Sequence, residues 1–134
     1  MPPSTAPEAS AARPSLPGVA TSRAVIDLEA VAHNGRRLAQ VAGVPWMAVV
    51  KADAYGHGLG PVALTCLQAG ATWLGVAQLA EALHLRDLLD AVGVARPVPG
   101  HEPDPERPRL LCWLAPVLSP EQAAAPGSPL RAAL

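Results

Sequence analysis

The sequence has few aromatic residues and few cysteines. Its 134 residues include no phenylalanine, one tyrosine, three tryptophans and two cysteines. A hydrophobic core must therefore be built from Leu, Val and Ala. Two cysteines without CxxC spacing can frame neither a disulfide scaffold nor a zinc site. We interpret Cys66 and Cys112 as reduced thiols, and we predict no metal site.

The chain also lacks an excess of basic charge and any long apolar run. Ten Lys and Arg residues against eleven Asp and Glu residues give a net charge of −1 and a pI near 6.4, which argues against a nucleic-acid partner. There is no apolar run of about 18 residues for a membrane span, and the N-terminal residues contain no apolar stretch of about 7–15 residues for a signal peptide. We predict no membrane association and a cytoplasmic location.

Proline divides the chain into parts. Of its 16 prolines, only Pro45 and Pro61 lie between residues 18 and 96, where regular structure is therefore possible. Residues 1–20 are predicted to be a disordered leader rich in Ala, Pro and Ser, because they lack apolar surface to bury. Residues 21–120 are predicted to be one folded domain, and residues 121–134 an irregular tail.

Strand and helix patterns alternate within the folded part. Short apolar runs predict strands over residues 23–28, 46–50, 72–77 and 110–114, and the run at 46–50 (WMAVV) is typical of a strand buried on both faces. Capping residues predict helices from after Asp27 to Gly43, from Pro61 to Gly70, over residues 78–92 with Gly93 as the stop, and after Ser119. This order indicates an α/β fold with parallel strands. It leaves open whether the sheet is doubly wound or is the opening part of a barrel.

The only lysine, Lys51, directly follows the run WMAVV. Ligands and catalytic groups collect at the carboxyl ends of parallel strands in α/β proteins. A desolvated lysine can offer a neutral amine, which attacks an aldehyde to form a Schiff base. The alternative, which position alone favours, is an ammonium group that extends into water.

A glycine-rich turn follows Lys51. Residues 52–60, ADAYGHGLG, lead into the helix at Pro61, so backbone amides and a helix N-terminus are expected near the end of the strand, where they suit a phosphate. Tyr55 is the only tyrosine and could donate its phenolic hydrogen to that phosphate. The alternatives are that Tyr55 is an amphipathic wall residue and that His57 is an exposed turn histidine.

Residues 48–58, AVVKADAYGHG, resemble the signature of the alanine racemase family. The resemblance extends upstream through AVIDLEAVAHNGRRL, with its pair His33 and Asn34, and downstream through GATWLGVAQLAEALHLRD and LLCWLAP. It covers about residues 23–120. It implies a partial TIM (β/α)8 barrel made of about the first three βα units, with the cofactor lysine on the first barrel strand.

The resemblance also implies a cofactor and roles for two residues. Lys51 would carry pyridoxal 5'-phosphate (PLP) as the Schiff-base lysine and act as one of two proton-transfer bases, and Tyr55 would hold the cofactor phosphate. Asp53 would shape the turn. The activity implied is the interconversion of L- and D-alanine for peptidoglycan synthesis, by a homodimer. The matched positions do not separate alanine from serine as substrate. Core or helix-surface roles are expected for Trp46, Cys66, Trp73, Glu81 and Trp113.

The second proton-transfer base of the family is a tyrosine of the partner subunit's C-terminal domain, which has no counterpart in these 134 residues. Since racemisation needs a group on each face of the substrate, we expect little or no racemase activity from this chain by itself. We interpret it as a fragment of a racemase. The alternatives are a degenerate remnant, a module that binds PLP without turnover, and an α/β interaction domain with no cofactor.

Overall fold

The computed structural model of the chain describes residues 23–114, 117 and 119–125. These residues form, in chain order, α1 (Leu28–Ala42), β1 (Met47–Val49), α2 (Lys51–Gly56), α3 (Leu59–Gln68), β2 (Trp73–Gln78), α4 (Leu79–Ala91), β3 (Arg109–Leu114) and α5 (Pro120–Ala124). The predicted leader lies outside the described residues, and so do residues 126–134 of the predicted tail.

The three strands form one parallel sheet in the order β1-β2-β3. Val49 pairs with Gly75, and Gly75 in turn pairs with Leu111. Strands that follow one another in the chain are therefore neighbours in the sheet, an order common to the first three strands of a barrel and of a doubly wound sheet. The strand order thus agrees with both arrangements that the sequence leaves open.

The core lies between one face of the sheet and the helices α3 and α4. It is filled by strand residues Ala48, Val50, Leu74 and Val76 and by helix residues Leu59, Val62, Ala63, Leu67, Ala82, Leu85 and Leu89. No aromatic side chain is among these buried residues, so the core of the described region is aliphatic, as the composition predicts. Such a core stabilises the fold through the apolar area that it removes from water.

The prediction that residues 46–50 are buried on both faces is wrong for the described structure. Met47 and Val49 are each 37% exposed, whereas Ala48 between them is 6% exposed. The reason is that α3 and α4 cover only one face of the sheet. The other face also carries Leu111 and Trp113, both partly exposed, and side chains alternate between the two faces along each strand.

The prediction of a strand over residues 23–28 is also wrong. Residues 23–27 have no strand partner among the described residues, and Leu28 already begins α1. A strand needs the ladder hydrogen bonds of a neighbour, and here the segment's last residues are instead committed to the helix. Asp27 is the predicted N-cap, and its Oδ1 accepts a hydrogen bond of 3.0 Å from the amide of Ala30.

Three further predicted helix ends are confirmed, whereas the helix predicted from Pro61 begins at Leu59. Gly43 ends α1 with a φ of +65°, and Gly93 follows α4 with a φ of +80°; positive φ is the conformation that glycine adopts without strain. Ser119 caps α5, since its Oγ accepts a hydrogen bond of 3.2 Å from the amide of Gln122. Pro120 occupies the first turn of that helix.

One charged side chain lies inside the core. Arg86, on α4, is 1% exposed; its Nε lies 2.9 Å from Oδ1 of Asp90, and its Nη2 donates to the carbonyl of Val94 at 3.0 Å. Oδ2 of Asp90 also pairs with Arg96 at 2.6 Å. Burial lowers the pKa of Arg86, and the hydrogen bond from Arg96 lowers the pKa of Asp90. Asp90 thus joins the buried guanidinium to one at the surface.

Both cysteines are free thiols, as predicted. Burial raises the pKa of the Cys66 thiol, so this side chain behaves as a small apolar residue of the core. Sγ of Cys112 lies 3.3 Å from the carbonyl oxygen of Ala77. None of the helices in the described ranges has the length and apolar character to cross a bilayer.

Candidate functional site

Lys51 lies at the carboxyl end of the sheet. The residue before it, Val50, is anchored twice: its amide donates to the carbonyl of Gly75 in β2 at 2.8 Å, and its side chain is 1% exposed in the core. Lys51 itself is half-buried. Val50 therefore fixes the backbone at the start of the site, and Lys51 follows at the end of the sheet, as the sequence predicts.

The turn after Lys51 has an unusual conformation. The four residues Ala52–Tyr55 have φ between +51° and +57° and ψ between +35° and +52°, which are left-handed helical values. None of them is glycine, and an L-residue in this conformation is disfavoured by about 1–2 kcal/mol. The sequence predicts a glycine-rich turn here but gives no sign of its hand. A strained turn of this kind persists only where its surroundings hold it.

Asp53 is one of the residues that hold the turn. Its Oδ1 accepts a hydrogen bond of 2.7 Å from the amide of Leu59, the first residue of α3, and its carbonyl accepts one of 3.0 Å from Gly58. The expectation that Asp53 shapes the turn agrees with these contacts. They also modify the expected phosphate site, because the first amide of α3 already donates to a carboxylate.

His57 closes the turn through its ring. Nδ1 lies 2.9 Å from the carbonyl oxygen of Ala54 and 3.1 Å from that of Tyr55. Since both partners are acceptors, Nδ1 must carry the ring hydrogen. The side chain is exposed, as the sequence suggested, but it stabilises the turn instead of extending freely from it.

The left-handed turn brings Lys51 and Tyr55 together. Nζ of Lys51 lies 5.8 Å from the centroid of the Tyr55 ring, within the range of a cation–π contact. Tyr55 is 59% exposed, so a ligand can reach its hydroxyl. The two residues selected from the sequence thus share one accessible surface beside the end of β1.

Sequence reasoning missed one member of the site, Glu81. It was assigned to the core or a helix surface, yet its Oε1 accepts a hydrogen bond of 2.6 Å from the amide of Ala52. Its Oε2 accepts bonds of 2.9 Å from the amides of Ala77 and Gln78. The hydrogen bonds from Gln78 and then Ala52 lower the pKa of Glu81, and the charge of Lys51 acts in the same direction. The capping-box spacing of Gln78 and Glu81 was the available signal, but it predicts only the local half of these contacts.

The strain in the turn predicts that glycine stabilises the protein at Ala52, where the backbone is left-handed, and destabilises it in a right-handed helix. Ala52→Gly should raise the free energy of unfolding by about 0.5–1 kcal/mol, because glycine adopts positive φ without a Cβ penalty. The matched control is Ala80→Gly in α4, an exposed position of a right-handed helix, which should lower it by about the same amount. Urea unfolding of both variants measures the difference, and a destabilising Ala52→Gly would contradict the left-handed assignment.

The fold and the site together define a class of protein: consecutive βα units whose parallel strands are adjacent in the sheet, with a lysine at the carboxyl end of the first strand. The family model described as "Alanine racemase, N-terminal domain" matches residues 26–111. The alanine racemase of Beutenbergia cavernae is 52% identical over 114 residues, covering 84% of this chain and 24% of that protein. That of Mycolicibacterium smegmatis is 59% identical over 70 residues, 52% of this chain and 18% of that protein.

Solved structures give the same result. The crystal structure of alanine racemase from Corynebacterium glutamicum aligns with a TM-score of 0.55 at 42% identity and covers 74% of this chain and 24% of that one. Alanine racemase from Streptomyces coelicolor aligns with a TM-score of 0.53 at 43% identity. The chain belongs to the alanine racemase family and corresponds to its N-terminal portion. It spans about a quarter or less of the length of these relatives, and the predicted α/β class with a partial barrel is confirmed.

Proposed function

We propose that this chain is the lysine-bearing segment of a PLP-dependent alanine racemase, in which Lys51 is the Schiff-base residue and Tyr55 holds the cofactor phosphate. The observation that carries the proposal is the position of Nζ of Lys51 at the carboxyl end of β1, 5.8 Å from the Tyr55 ring, in a member of this family. PLP acts there on alanine as the small-molecule substrate. The proposal includes assembly of the racemase as a homodimer, a cytoplasmic location and a role in supplying D-alanine for peptidoglycan.

The side chains present fit the two ends of PLP. Its aldehyde requires a primary amine, and Lys51 supplies the only lysine amine in the chain. Its phosphate requires hydrogen-bond donors, and Tyr55 offers an exposed hydroxyl. The first amide of α3 donates to Asp53, which favours Tyr55 over that helix start as the phosphate partner.

When bound, PLP supplies an electron sink for the charge left at an amino acid's α-carbon. Nζ of Lys51 is suited to hold the proton removed from that carbon and to return it. Racemisation also needs a proton donor on the opposite face of the substrate. Because Tyr55 is the only tyrosine and is assigned to the phosphate, we expect the 134 residues by themselves to show little or no racemase activity.

Reductive trapping tests the proposal directly. The purified chain is incubated with PLP, reduced with borohydride and digested, and mass spectrometry locates the pyridoxyl group. We expect modification of Lys51 that saturates with PLP concentration. The sole competing amine is the N-terminus, which provides an internal measure of non-specific labelling.

The matched control for trapping is Lys51→Arg. Arginine keeps the positive charge at this position but has no amine that condenses with an aldehyde under these conditions, so labelling should be confined to the N-terminus. Equal, slow labelling of Lys51 and the N-terminus in the unsubstituted chain would contradict a preformed cofactor site.

A further inference from the structure

We infer that Glu81 is a positioning residue for Lys51, acting through the backbone. The inference rests on the proposed role of Lys51. Glu81 occupies the third position of α4, where a capping-box glutamate accepts from the backbone at the start of its own helix. Its Oε2 does this, accepting from Ala77 and Gln78. Its Oε1 does something that a cap does not require, because it reaches the amide of Ala52, 29 residues away.

The amide of Ala52 belongs to the peptide unit that follows Lys51. The peptide unit that precedes Lys51 is also held, since the carbonyl of Val50 accepts a hydrogen bond of 2.9 Å from the amide of Ala54. The two planes on either side of the Lys51 Cα are therefore both fixed, one from inside the turn and one by Glu81. With both planes fixed, the direction of the Cα–Cβ bond of Lys51 is set, and so is the origin of its side chain.

The same bond acts on the strained part of the turn. Ala52 is the first of the four left-handed residues, and a carboxylate that accepts from its amide forms a charge-assisted hydrogen bond, the stronger kind. Glu81 itself is fixed because α4 packs on the sheet through Leu85 and Leu89. The lysine turn is thereby tied to α4, and through it to the core.

Two variants together separate the two functions of the carboxylate. Glu81→Asp keeps a negative charge in the first turn of α4 but is about 1.5 Å shorter, so in this geometry it loses the amide of Ala52 together with the local cap bonds. The matched control is Gln78→Ala, which removes the other half of the capping box and weakens the same helix start while leaving Glu81 in place. A purely local cap would make both variants behave alike.

The experiment measures PLP trapping at Lys51 and, without cofactor, the amide of Ala52 by NMR. We expect Glu81→Asp to raise the PLP concentration for half-saturation about tenfold or more, and to speed exchange of the Ala52 amide by a similar factor. In this variant the amide proton resonance of Ala52 should also move upfield, since the charge-assisted hydrogen bond to Glu81 is lost. Gln78→Ala should change each quantity by less than about twofold.

The two readouts separate failure of this assignment from failure of the proposed function. Equal effects of the two variants, or an Ala52 amide that Glu81→Asp leaves unchanged, would overturn Glu81 as a positioning residue. An unsubstituted chain that takes up no PLP at Lys51 would overturn the proposed function, and the Ala52 amide would then decide the role of Glu81 in holding the turn without reference to cofactor.

Discussion

Leu85→Ala should lower the free energy of unfolding by about 2–5 kcal/mol, the largest effect we expect from one substitution in this chain. Leu85 is fully buried, at 0% exposure, where α4 packs on the sheet. Truncation to alanine removes apolar area from the core and leaves a cavity that its neighbours fill only in part. Since a domain of this size is stable by only about 5–15 kcal/mol, the loss should be visible as a large fall in the urea midpoint.

The control for Leu85→Ala is the same substitution on another helix. Leu38 lies in α1 and is 66% exposed, so Leu38→Ala should change the free energy of unfolding by no more than about 0.5 kcal/mol. Alanine is also the slightly better helix former at such a position. Comparable losses at the two leucines would show that α4 is not packed on the sheet as described.

Asp90→Ala should have the second largest effect, because it strands the buried guanidinium of Arg86. Removing one partner of a buried ion pair typically costs about 3–5 kcal/mol. Here the Asp90 side chain is 36% exposed, so water screens part of the interaction and we expect about 2–3 kcal/mol. Urea unfolding near neutral pH, where aspartate is ionised, measures the loss.

The origin of that loss can be isolated with Arg86→Met. Methionine fills a similar volume without a charge, so Asp90→Ala should cost less than about 1 kcal/mol when made together with Arg86→Met. If the cost of Asp90→Ala is the same in both backgrounds, its loss comes from something other than the stranded charge, for example its second pair with Arg96.

Much of the fold could be predicted because its determinants are local. The apolar runs at 46–50, 72–77 and 110–114 became β1, β2 and β3, and capping residues such as Asp27 and Gly93 marked helix ends. The prediction at 23–28 failed because a short apolar run indicates only that a segment can be extended. Whether a neighbouring strand is available to pair with it depends on the tertiary structure, which the local sequence does not encode.

The candidate site was predictable in its residues but not in its construction. Lys51 and Tyr55 were selected through the family motif, whereas Glu81 reaches Ala52 across 29 residues, beyond any local pattern. Arg86 was missed for a related reason. It stands beside Leu85 on α4, and a charged residue carries no sequence signal that it will be buried with a partner.

The left-handed turn has a consequence for the order of folding. A segment that is unfavourable by itself is a poor nucleus for folding, so we expect Ala52–Tyr55 to be set late, once β1, β2, α3 and α4 have come together to supply the bonds that hold it. Lys51 is then presented correctly only by chains whose sheet is already complete. Efficient condensation of an aldehyde with Lys51 would therefore distinguish folded from partly folded molecules. Partly folded molecules would expose the same amine, but without the surrounding geometry.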